Sequence, residues 1–135
     1  MPANTSPIFS RVPVIAWADV STANTAKDGT GTVAWVFTAG ADGGRIDRIK
    51  IRAKGTNVAT VLRVWINNGL TNATAANNTL FFELTIAATT VSEVAALADN
   101  EITMNLPLPP GYRIGVTLGT AVAAGLHVTG IGGSY

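Results

Sequence analysis

A chain of 135 residues, 47% hydrophobic and only 13% charged, has the length of one domain and enough apolar mass for its own core, which excludes intrinsic disorder. Nine Lys/Arg against eight Asp/Glu leave a net charge of +1, far from the strongly basic footprint of a general nucleic-acid binder. No cysteine occurs, so disulfide frameworks and thiolate metal sites are excluded, and charge well below the usual ~25% leaves surface apolar enough to favour cover by another protein.

Residues 1–10 contain Pro2 and Pro7, with Pro13 just beyond. Prolines at that density block helix and central strand alike, so the segment is expected to be an extended arm. Pro7, Ile8, Phe9 and Arg11 are its candidate contact residues. Residues 1–7 lack the basic start and apolar stretch of a signal peptide, and no run reaches the ~18 apolar residues of a membrane span. Synthesis in a cytoplasm is the expectation.

Residues 11–135 read as a single domain of short alternating runs. Residues 12–20 alternate Val12, Val14, Ala16 and Ala18 against Ile15 and Trp17. Residues 32–38 place Val33, Trp35 and Phe37 on one side, Ala34 and Val36 on the other. The cleanest period of two follows, with Ile49, Ile51 and Ala53 interleaved with Arg48, Lys50, Arg52 and Lys54. Leu62, Val64 and Ile66 then oppose Val61, Arg63 and Trp65; Leu80, Phe82, Leu84 and Ile86 oppose Phe81, Glu83 and Thr85. Ile102, Met104 and Leu106, residues 113–117 and residues 126–131 complete the set. Their β-branched and aromatic enrichment favours strands.

Turn chemistry separates the runs: Asp42-Gly43-Gly44, Asn67-Asn68-Gly69, Asn77-Asn78 and Pro109-Pro110-Gly111. About eight strands so spaced predict an antiparallel two-sheet β-sandwich of the jelly-roll kind, all-β, with an N-terminal arm. Residues 90–99 read either as a short helix capped by Ser92 or as an ordered loop. Trp17, Trp35 and Trp65 are expected to supply large buried areas.

Little chemistry is written onto these strands. His127 is the one histidine and lies in an alternating run with no Gly-x-Ser-x-Gly context and no adjacent acid, so a nucleophilic site lacks its parts. Metal sites need clustered ligands, and an enzyme of cupin type would need a histidine cluster. No metal or cofactor is expected, and no catalytic residue is assigned. The glycine run at residues 40–44 lacks the Lys-Ser/Thr of a phosphate loop.

One charge feature stands out. Arg45, Arg48, Lys50, Arg52 and Lys54 place five of the nine cations within ten residues. Such a stripe suits an acidic protein surface or a phosphate backbone, or a solvated edge strand charged against unwanted pairing. Aromatics that would stack on bases are not interleaved with it, which argues against nucleic acid. Trp65 shares its strand face with Arg63 and joins the stripe as a candidate partner contact. Beside Asn67 and Asn68 it is also the one candidate for a sugar-binding platform.

Four segments carry a resemblance: GTVAWVFTA (31–39), RIDRIKIRAK (45–54), TVLRVWINNG (60–69) and LPLPPGYRIG (106–115). The chain resembles the small cement, or decoration, proteins of tailed bacteriophages, over roughly residues 31–135 and in its style of strand and turn. The resemblance implies a non-enzymatic virion protein on the capsid exterior. It would bind the major capsid protein and itself, as a homodimer ahead of a homotrimer, and stabilise contacts between capsid subunits. No nucleic acid or membrane is implied. A carbohydrate- or receptor-binding β-sandwich module of a phage particle is the alternative.

Overall fold

A computed structural model of the chain describes residues 9–135. Pro7 and Ile8 of the expected arm lie outside the described residues. The rest forms eight strands: β1 Val12–Val20, β2 Ala34–Thr38, β3 Gly44–Ala53, β4 Thr60–Asn67, β5 Asn78–Ile86, β6 Asn100–Leu108, β7 Arg113–Leu118 and β8 Leu126–Ser134. One 3-10 turn, Ala75–Asn77, lies in the β4–β5 connection. Residues 90–99 form a loop rather than a helix.

The strands make two four-stranded antiparallel sheets, ordered β1-β8-β3-β6 and β2-β7-β4-β5. The pairing follows one rule. β1 pairs β8, β2 pairs β7, β3 pairs β6 and β4 pairs β5. The chain is therefore one long hairpin whose tip is the β4–β5 turn. Rolling that hairpin adds the β3–β8 and β4–β7 pairs and closes each sheet. That winding defines a jelly roll, the architecture expected from the sequence.

Alternation drives the inner faces together. Ile46, Ile49, Ile51, Leu126 and Val128 of the first sheet are fully buried against Val36, Leu62, Val64, Ile114 and Leu118 of the second. Each such side chain contributes about 1.5–3 kcal/mol on burial. Gly43, Gly69 and Gly111 have positive φ, as the turn chemistry required. Bulges modify the alternation in two places that bear on function. In β2 an extra residue, Val36, sits between the pairs Trp35–Gly115 and Phe37–Ile114. Val36 and Phe37 consequently both enter the core, and Trp35 and Phe37 do not share a face. In β3 the register shifts at Asp47, so Asp47 and Arg48 both face solvent.

Candidate partner-binding face

The basic stripe lies on the outward face of the first sheet. β3 is an interior strand, paired on both sides, so its charges do not guard an edge. Nor are they unopposed. Arg45 Nε lies 3.5 Å from Asp47, Arg48 Nη1 3.7 Å from Glu101, and Lys50 Nζ 3.1 Å from Asp99. Arg52 Nη1 lies 3.6 Å from Asp99, and Lys54 pairs with Asp19. Five cations thus face four carboxylates, drawn from β1, β3, β6 and the loop before β6. The Lys50 amine donates to Asp99 and, with the charges of Lys50 and Arg52, holds its carboxyl below the ordinary 3.8. Exposed pairs of this kind each add little to stability. Their effect is on the field: the stripe is nearly charge-balanced, and the pull on an anionic backbone that its cations alone would exert is largely cancelled.

The other half of this face is apolar. Ile15 and Trp17 of β1 point outward and are 60% and 69% exposed. Ile131 and Thr129 of β8 stand opposite them in the ladder, followed by His127 across from Asp19. Trp17 therefore does not belong to the core: the apolar residues of β1 fall on both faces, and only the even-numbered set from Val14 to Val20 faces the second sheet. Between the apolar strip and the ion ladder is a shallow depression of about 300 Å³, lined by Asp47, Arg48, Glu101, Thr103, Asn105 and Ile131. Asn105 has φ 45°, the one positive value at a non-glycine among the described residues. Asparagine tolerates that conformation, and bulges often re-aim side chains beside functional surfaces.

The outward face of the second sheet is built differently. Trp65 is 2% exposed, and its Nε1 donates to Thr117 Oγ1 at 3.0 Å. Trp35 leans over Gly115, which lies between the two tryptophans in the ladder; any side chain at Gly115 would strike Val33 and the Trp35 ring. Arg113 caps the Trp35 ring, its guanidinium carbon 3.8 Å from the ring centre, while its Nε donates to Asn67 Oδ1 at 2.9 Å.

Over this layer runs the long β1–β2 connection. It is anchored at one end of the sheet by Asn24 N–H on Leu118 O, 2.8 Å, and at the other by two side-chain amides. Asn72 donates to Gly31 O at 2.8 Å and Gly29 O at 3.2 Å; Asn78 donates to Asp28 O at 3.1 Å. These bonds tie the loop backbone to the β4–β5 end of the sheet.

Arg63 and Trp65, expected as partner contacts, are therefore taken up inside the molecule. The Arg63 side chain is 10% exposed, its Nε donates to Glu83 at 2.8 Å, and its Nη1 is buried without a partner. The sugar-platform reading of Trp65 with Asn67 and Asn68 falls with them. Asn67 is fully buried, bonded to Asn78, Gly69 and Arg113. Of the arm contacts, Phe9 is exposed and Arg11 N–H donates to Ser134 O at 2.9 Å, which prolongs β1 by one residue along β8.

Among the described residues, no group of three or more His, Cys, Asp or Glu could hold a metal ion, and no helix is long and apolar enough to cross a membrane. The described residues form a jelly-roll β-sandwich in which one outer face is overlaid and the other is left open among those residues. No family model, curated protein or solved structure matches the chain.

Proposed function

We propose that the chain is a non-enzymatic cement subunit of a phage particle, docking on the outside of the head through the open face of its first sheet. The observation that carries the reading is the juxtaposition of Ile15, Trp17 and Ile131 with a charge-balanced ladder on one uncovered sheet. Aromatic residues exposed in an apolar strip are typical anchors of protein interfaces, and the flanking ion pairs set register and orientation more than affinity. The proposed contact surface therefore shifts from the cations with Arg63 and Trp65 to the apolar strip with the ladder as its rim. The major capsid protein is the proposed partner, and a homo-oligomer touching several subunits gains avidity from modest single contacts. Particles carrying the protein should withstand heat or low-salt challenge better than particles stripped of it; equal rupture would count against the reading.

Trp17 also favours a second reading. An exposed indole with Asp19, Thr129 and His127 around it has the makings of a sugar-stacking platform on a receptor-binding module. Titration with host glycans followed by Trp17 fluorescence separates the two readings, since cement function requires no response.

A further inference from the structure

We propose that β5 is a self-association edge, through which two copies join by continuing the second sheet across a two-fold axis. This deepens the homo-oligomer advanced above by naming its interface. It rests on the edge alone, so its failure would leave attachment through the first sheet untouched.

The sandwich has four edge strands. At one margin β1 and β2 lie against each other and close it. At the other margin stand β5 and β6, each paired on one side only among the described residues. β6 carries the devices that blunt natural edges: Pro107, the left-handed Asn105 and a register shift. β5 has nine residues with neither proline nor lysine. Its pairing with β4 is unbroken from Phe82 to Ile86, and its one bulge, at Phe81, adds an exposed ring to the strand. Every residue from Thr79 to Glu83 is exposed, whichever face it occupies, with Leu80, Phe81 and Phe82 each more than 40% exposed.

Such an edge offers a row of unpaired N–H and C=O groups flanked by apolar side chains. An occupant must match both, which an added strand does. A second copy matches in charge as well. The one ionised residue of β5 is Glu83, already held by Arg63 of its own chain. In an antiparallel isologous pairing, an axis at Phe82 or Leu84 sets each Glu83 opposite Phe81 or Thr85 rather than its own counterpart. The cross-strand repulsion that would disfavour self-pairing is then absent.

The test is light scattering on the full chain up to on the order of millimolar concentration, with amide exchange followed across β5. Phe81→Glu and Phe82→Glu are compared with Trp17→Glu. The expected result is a dimer in the wild type and in Trp17→Glu, dissociating at least about tenfold more readily in both β5 variants, with residues 79–85 gaining protection as concentration rises. If Phe82→Glu does not fold, Phe81→Glu and wild-type exchange decide. A monomer throughout, a trimer, or a dimer indifferent to the β5 glutamates and lost in Trp17→Glu would overturn the proposal.

Discussion

The two outer faces of the sandwich carry the same raw materials, tryptophans beside charged side chains, and use them in opposite ways. On the second sheet these side chains are taken up by neighbours of their own chain, Arg113 on the Trp35 ring, Trp65 on Thr117 and Arg63 on Glu83. On the first, Trp17 and the ladder cations lie open to solvent. Residue type does not distinguish them; cover does. A 13-residue connection, residues 21–33, crosses one sheet and not the other, so one face is part of the folded interior and the other is left open among the described residues.

The largest effect that would sharpen this contrast comes from removing the tryptophans one at a time. Trp65→Ala should cost about 3–5 kcal/mol by leaving a cavity under the loop, whereas Trp17→Ala should stay within about 0.5 kcal/mol; urea unfolding of both checks it. Similar losses would mean that Trp17 is covered after all. Next comes Gly115→Ala, which drives a methyl into Val33 and Trp35 and should lose about 1–3 kcal/mol by overpacking. Unchanged stability would show the layer to be loose.

The Arg63–Glu83 pair gives a finer and asymmetric test. Glu83→Gln leaves a buried guanidinium without its ion-pair partner and should cost about 1–3 kcal/mol. Arg63→Met leaves only a half-exposed carboxylate and removes an unpartnered Nη1, so it should cost less than about 1 kcal/mol or stabilise. The reverse order in thermal melts would place the pair on the open surface.

Smallest is the ladder. Asp99 has its carboxyl pKa lowered by Lys50 and Arg52, so it binds a proton more readily unfolded than folded. Its contribution is present above 3.8 and fades as pH falls through the lowered folded value. Asp99→Asn should therefore narrow the gap between acid and neutral melting temperatures only slightly. A large shift at neutral pH would contradict the solvated geometry.

The strands were legible because each uses local information. Ile49 and Ile51 between basic residues fix the face of β3, and Gly43, Gly69 and Gly111 mark turns by backbone chemistry alone. What was not legible is long-range. Three of the four carboxylates that neutralise the stripe come from β1 and from around β6, and residues 47–54 give no hint that Asp99 or Asp19 will stand beside them. Trp65 reads as an accessible neighbour of Arg63 until Asn72 and Asn78 are seen to tie the β1–β2 loop above it. Trp17 reads as core because β1 is apolar on both faces, a pattern that period alone cannot resolve when one sheet is left uncovered.

The most direct measurement is occupancy of the protein on purified heads, by cryo-microscopy, for the wild type against Trp17→Glu, with circular dichroism confirming the fold of both. The expected result is an unchanged melting curve and density lost from the shell in the variant. Full occupancy with Trp17→Glu, or wild-type protein absent from the heads altogether, would contradict docking through the open sheet.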